Sequence, residues 1–247
     1  MFNFMQNWNF PTNNYSEIIG IAGSGVETFK GTPIKSLARE ICQNSLDAAL
    51  ENNEPTRIEF RAFDLDPRQI PDYNGLKDAL ERALVFWSQQ KHSNTAKSFF
   101  KQALTVMQKP KITCLRISDF NTSGLIGSCE EYNSPWCNLT KSSGASDKSG
   151  SNGGSFGIGK FAPYACSSLR TVFYSTSDKE GVVASQGVSR LASFKNKKNE
   201  TTQGIGFYGN DKNSPMYKQY SLDPVYSRNT KDSGTDIYIV AFNGDQG

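Results

Sequence analysis

The sequence predicts an α/β fold with a mostly antiparallel sheet. Three observations predict it. A helix-forming run at 33–50 precedes a strand-like alternation at 56–63. A second alternation at 111–118 follows two helix-like runs. From Leu169 onward the chain breaks into short strand-like runs parted by polar turns, the texture of an antiparallel meander.

The first helix rests on composition and its start signal. No glycine or proline interrupts 34–50, and Leu37, Ala38, Arg39, Glu40, Leu46, Ala48, Ala49 and Leu50 are good helix formers. Thr32 suits the cap and Pro33 the first helical position. Glu40, Asn44 and Asp47 recur at i, i+4 and i+7 and share a face beside an apolar stripe of Leu37, Ile41 and Ala48. An acid, an amide and a second acid on a half-buried face can hold a hydrated metal ion and activate a water. A solvated helix face has the same pattern.

The remaining elements follow in order. Thr56–Phe63 sets Ile58, Phe60 and Ala62 against Arg57, Glu59 and Arg61, the period of a half-buried strand. Residues 64–110 read as a helical insertion, with runs at Gly75–Ser88 and Thr95–Gln108 carrying Leu76, Leu80 and Leu84, then Phe99, Ala103 and Val106. Such a pair covers a sheet or, less commonly, binds a partner. Lys111–Ser118 alternates again and ends at Asp119, before a turn of Asn121, Thr122, Ser123 and Gly124. A carboxylate at a strand end is a frequent ligand position, and also a frequent turn residue.

Ser128–Ser155 has the length and composition of a lid. It runs into Gly153-Gly154-Ser155-Phe156-Gly157-Ile158-Gly159-Lys160 and a helix-like Phe161–Ser167. Glycines before a helix let backbone N–H groups approach an anion, and Lys160 adds a cation. The Walker pattern is absent, because Phe161 stands where it needs Ser or Thr and no strand immediately precedes the run. The final runs are Leu169–Thr176, Gly181–Ser189, Gln203–Tyr208 and Thr235–Phe242. Gly234-Thr235 can offer a hydroxyl and an amide to a ligand.

Composition narrows the function. A net charge of +3, dispersed along the chain, gives no ground for nucleic-acid binding by this chain itself. No apolar run has the length of a bilayer span, and Met1–Tyr15 has neither a basic start nor an apolar core, so it is no signal peptide. Five cysteines without a C-x-x-C pair argue against a disulfide framework and a zinc site, and for a reducing cytoplasm. A single histidine, His92, argues against a histidine-based centre. Residues 1–32, irregular and punctuated by glycine, read as an N-terminal arm.

The order of these motifs resembles the GHKL ATPase superfamily, which groups gyrase B, the ninety-kilodalton heat-shock chaperones, histidine kinases and MutL. The likeness runs from Lys35 to Phe242. Gln43-Asn44-Ser45-Leu46-Asp47-Ala48 is most similar to MutL; Gly154-Ser155-Phe156-Gly157-Ile158-Gly159-Lys160-Phe161 is similar to the chaperones, and MORC proteins combine both features. The resemblance implies a two-layer α/β sandwich, the Bergerat fold, over 33–247, with an ATP lid at 120–155. It implies Glu40 as general base, Asn44 as ligand of Mg²⁺, and Asp119 as acceptor of the adenine amino group. Gly154, Gly157 and Gly159, with Phe156 and Ile158 between them, would wrap the phosphates. Lys160 is a candidate phosphate contact, Gly124 belongs to the turn after Asp119, and Thr235 supports the adenine end. Asp47 anchors the helix or the adenine-side water network.

Two features shape the functional expectation. Asn121 stands where the family's second motif, D-x-G-x-G, has its first glycine, and asparagine tolerates the left-handed conformation. Glu40 favours hydrolysis, because histidine kinases usually lack that acid. The expected function is therefore a Mg²⁺-dependent ATPase module, closing its lid and dimerising when ATP binds. A following domain that supplies a lysine to the γ-phosphate is expected beyond Gly247, so turnover by this stretch alone is expected to be slow. Downstream domains or partner proteins, DNA-linked work and phage defence fit the MutL and MORC likeness, with nucleic acid reached through a longer protein and no membrane. A non-hydrolysing nucleotide switch and a protein kinase of the same fold are the alternatives.

Overall fold

A seven-stranded sheet runs through the molecule, and every strand pair in it is antiparallel. The computed structural model describes residues 6–29, 31–52, 54–130, 132–142, 159–229 and 231–244. The strands are β1 (Asn7–Asn9), β2 (Arg57–Leu65), β3 (Ile112–Phe120), β4 (Thr171–Ser177), β5 (Val183–Arg190), β6 (Ile205–Gly209) and β7 (Gly234–Ile239). The helices are α1 (Pro33–Asp47), α2 (Tyr73–Ser88), α3 (Asn94–Met107), α4 (Pro135–Thr140) and α5 (Ala162–Ala165). A mixed α/β sandwich is therefore present, with no parallel pair among the described residues.

The two faces of the sheet can be read from side-chain alternation. Leu115 and Ile117 of β3 and Ile239 of β7 pack with Leu37 and Ile41 of α1 and Ala162 of α5 on the front. Trp136 of α4 and Tyr164 of α5 extend that face over Val172, Tyr174 and Val188. The intervening residues Cys114, Phe173 and Tyr238 point to the back, where Leu76 and Leu80 of α2 and Phe100 and Met107 of α3 cover them. The 64–110 segment thus supplies a helical layer of its own. His92, exposed and at φ 56°, lies in the turn between α2 and α3.

Strand order is β1-β6-β5-β4-β7-β3-β2. β4, β5 and β6 form the expected meander, but β7 leaves it and enters between β3 and β4. Its composition explains the move. Ile237 and Ile239 are apolar toward the front, and Tyr238 and Val240 toward the back, so only a central position buries both sides. The insertion sets Thr235 level with Thr176 of β4 and beside the end of β3.

Four local expectations are corrected. Ile58 is half-buried and Phe60 and Ala62 are exposed, whereas Phe63 and Leu65 are buried on the other face; β2 is an edge strand and buries its far end against α2 and α3. α1 stops at Asp47 rather than Leu50, because the chain pairs with the turn after β3: Ser123 N donates to Ala48 O at 2.7 Å and Leu50 N to Asn121 O at 3.3 Å. Thr32 holds the cap position with its carbonyl accepting from Ser36 N at 3.0 Å, but its side chain makes no cap bond. Residues 7–9 join the sheet as an edge strand anchored by Trp8, whose Nε1 donates to Pro71 O at 3.0 Å.

Phe100 is fully buried in the back-face core. Phe100→Ala is expected to lower unfolding free energy by about 3–5 kcal/mol. Urea denaturation checks this; a loss under about 1 kcal/mol would show that the helical pair is a detachable cover.

Candidate functional site

α1 buries Pro33, Leu37, Ile41 and Ser45, spaced by four residues. Ser45 is the polar member of this stripe, and its Oγ donates to Asp119 Oδ2 at 3.1 Å. The second carboxylate oxygen accepts from Thr122 Oγ1 at 2.9 Å and from Thr235 N at 2.7 Å. Asp119 therefore joins α1, the turn after β3 and the start of β7. A carboxylate offers about four lone-pair sites, so Oδ2 retains room for another donor. The side chain is partly exposed, yet desolvation pushes its pKa up against the pull of Thr235, Thr122, Arg228 and Ser45.

Two neighbours fix this junction. Gly234 has φ 150°, and a Cβ there would lie 2.8 Å from Asp119 Oδ1 and closer still to the Asp119 carbonyl; glycine alone lets β7 start so near. Arg228 donates through Nη2 to Asp119 O at 2.7 Å. The same guanidinium grips Asp236 through Nε at 3.0 Å and Nη2 at 2.7 Å, with both side chains 2% exposed. Its Cζ lies 4.5 Å from the Phe120 ring centroid.

The turn after Asp119 takes the expected left-handed form at Asn121, with φ 59°. Asn121 Nδ2 donates to Glu54 O at 2.6 Å and Asn52 Oδ1 at 3.0 Å, locking the α1–β2 loop. Gly124 has φ 63° and packs where a Cβ would meet Thr176 Oγ1 at 2.8 Å. That hydroxyl donates to Gly234 O at 3.0 Å and accepts from Leu125 N at 2.9 Å.

Farther along α1, half-buried Glu40 presses its carboxylate against Gly159, where any Cβ would overlap it. Lys160 is half-buried, and its Nζ donates to Asn138 O of α4 at 2.8 Å. Desolvation, then the charge of Arg190, lowers its pKa. Asn44 and Asp47 are exposed. Gly154, Phe156, Gly157 and Ile158 lie outside the described residues.

The structure thus brings Asp119 together with Thr235, and Glu40 together with Gly159. Thr235 contributes through its amide; its hydroxyl lies 3.5 Å from Thr176 Oγ1. Among the described residues no group of three or more His, Cys, Asp or Glu is arranged to hold a metal ion. A cavity of about 1240 Å³ opens elsewhere, between α3 and the start of α1, beside Phe29, Pro33, Phe99 and Arg170. It includes neither Asp119 nor Glu40, and the hydrogen-bonded junction, not volume, marks the candidate site.

No protein-family model matches the chain, and no curated protein matches it significantly.

Sequence reasoning passed over Ser45, Thr122 and Arg228. Ser45 had a signal, four residues past Ile41 on the buried stripe. Thr122 sat inside a turn read for its glycine. Arg228 lies in a polar stretch with no periodicity to single it out.

A raised pKa means that the folded chain binds the Asp119 proton more tightly than the unfolded chain. Its stabilising contribution is full below the ordinary carboxylate range and is lost as pH rises through the raised pKa. Asp119→Asn is expected to remove that loss and to be at least as stable as the parent at neutral pH. Urea midpoints measured across acid to neutral pH test this; identical pH dependence in both proteins counts against it.

Proposed function

We propose that this chain is a GHKL-type ATP-binding module that hydrolyses ATP with Mg²⁺. The observation that carries the reading is the coupling of four separated motifs through one helix. Ser45 reaches Asp119, Asp119 holds the Thr235 amide, and Glu40 of the same helix abuts Gly159. Glu40 and Ser45 stand five residues apart, about 7.5 Å along the axis at 1.5 Å per residue. Asp119 and Glu40 are thereby tied to two points of one helix, which supports their reading as purine acceptor and water-activating acid.

On this reading Asp119 accepts the exocyclic amine of adenine at the free capacity of Oδ2. Guanine, with a carbonyl at the equivalent ring position, would meet the carboxylate with an acceptor and be rejected. Glu40 orients and deprotonates the attacking water. Mg²⁺ fits as an ion shared with the triphosphate, since it takes few protein ligands and keeps phosphate oxygens and waters. Asn44, exposed on α1, is the amide assigned to it, and Mg²⁺ would supply charge neutralisation at the phosphates.

The same reading includes dimerisation on ATP binding and action on a larger assembly through downstream domains or partners, with DNA-linked work or defence as its setting. A switch that binds ATP without hydrolysis would use Asp119 and leave Glu40 idle, and a kinase would move label from ATP to protein.

Glu40→Ala is expected to abolish phosphate release and leave ATP affinity within about threefold, because the side chain serves the transition state rather than ground-state binding. Asp119→Ala is expected to weaken ATP binding by about tenfold or more, with the loss of a charged hydrogen bond. Phosphate release and calorimetric titration with ATP, each with Mg²⁺, make the comparison. Undiminished release by Glu40→Ala would sink the hydrolytic assignment.

A further inference from the structure

Four arginines are buried, and three of them face a carboxylate: Arg116 with Asp223, Arg170 with Glu27 and Arg228 with Asp236. Arg190 differs. It ends β5, is 6% exposed, and its Nε and Nη2 have no hydrogen-bond partner. Its Cζ lies 4.7 Å from the Phe161 ring centroid and 5.3 Å from that of Tyr164, whose hydroxyl is its one side-chain hydrogen-bonding neighbour among the described residues. Cation–π contact offsets part of the cost of desolvating the charge, and no carboxylate among the described residues offsets the rest.

Its surroundings repeat the imbalance. Lys160 lies next to Phe161, close enough for the Arg190 charge to act on it, and has a backbone carbonyl in place of an acid. Trp136 belongs to the same front-face cluster as Tyr164, and its buried Nε1 also lacks an acceptor. Among the described residues, two cations close enough to act on each other therefore lie beside α5 with no carboxylate paired to either, and the same face of the sheet holds an indole N–H without an acceptor. A tetrahedral oxyanion supplies the missing acceptors, and half-buried Lys160 gives it a route from solvent.

We propose that Arg190, Lys160 and Trp136 form a receptor for a phosphate-class oxyanion on the front face of the sheet. The proposal does not depend on the nucleotide reading. Arg190 is six residues along β5 from Ala184, which pairs with Thr176 in the row of Thr235 and Asp119, so its Cα is about 20 Å from that row along the strands. The occupant is the phosphate tail of an extended ligand held at Asp119, or the phosphate of a separate one.

The test uses the whole 247-residue chain with inorganic phosphate as the probe, followed by thermal shift and by the Trp136 indole N–H resonance, assigned by its loss in Trp136→Phe. The parent should show a saturable rise in melting temperature and a shift of that resonance. Arg190→Met and Arg190→Gln should weaken phosphate binding by about tenfold or more, and Lys160→Ala should weaken it in the same direction. Without phosphate, Arg190→Met should melt at or above the parent temperature, because a purely structural arginine would be missed and an empty receptor would not.

Competition then identifies the source. Displacement of phosphate by ATP assigns the receptor to a nucleotide tail, and simultaneous binding assigns it to a second phosphorylated ligand. Phosphate binding through Arg190 with no ATP binding at all would end the nucleotide reading and leave the receptor standing. Absence of any phosphate response in the parent, or an unchanged response in Arg190→Met, overturns the proposal.

Discussion

Asp119 is the joint on which the front of this molecule depends. Its two oxygens hold α1 through Ser45, the following turn through Thr122, and the start of β7 through Thr235, while Arg228 holds its main chain. Hydrogen bonds to a carboxylate normally lower its pKa, but here burial wins. Its donors therefore do not fully offset the cost of charging it in the folded chain. Proteins tolerate such local costs where a ligand later offsets them.

The Arg228–Asp236 pair explains how the joint stays in register. Two desolvated charges contribute little net stability by themselves, but loss of one partner leaves the other buried and unpaired, at about 3–5 kcal/mol. Arg228 spans β7, where Asp236 lies, and β3, where it meets the Asp119 carbonyl. Slippage of β7 by one residue would place Asp236 on the front face and strand the guanidinium on the back. The pair therefore acts on specificity of register more than on stability, and it keeps the Thr235 amide aimed at the carboxylate.

Local pattern carried much of this architecture, and long-range pairing carried the rest. The alternation at 111–118 located β3 to within two residues of its observed end, and the runs at 169–176, 181–189 and 203–208 overlap β4, β5 and β6. Helix α1 was legible from composition, yet its end was not, since the pairing of Ala48 with Ser123 lies between segments 75 residues apart. β1 escaped detection because three residues with one apolar anchor make no period. The place of β7 was implicit in its two apolar faces, but the meander texture before it suggested simple continuation. At the site, Asp119 and Glu40 were visible as acids on regular elements. Ser45 is masked by its polar neighbours, Arg228 by its loop, and Arg190 by its place one residue past the run read at 181–189.

Charge on the front face is distributed unevenly between its ends. At the end of β3 and the start of β7, desolvation of the Asp119 carboxylate outweighs the pull of its donors. At the end of β5, Arg190 and Trp136 hold donors in excess of their acceptors. The two imbalances do not cancel, because about 20 Å of strand separates them, a distance well beyond the ~8 Å screening length at physiological salt. Each is instead open to a group of complementary character: a hydrogen-bond donor at Asp119, an oxyanion at Arg190. Glu40 against Gly159 adds a further acid on this face. An amine-bearing head and an anionic tail, as the proposed reading requires, would meet both ends without any new charge in the protein.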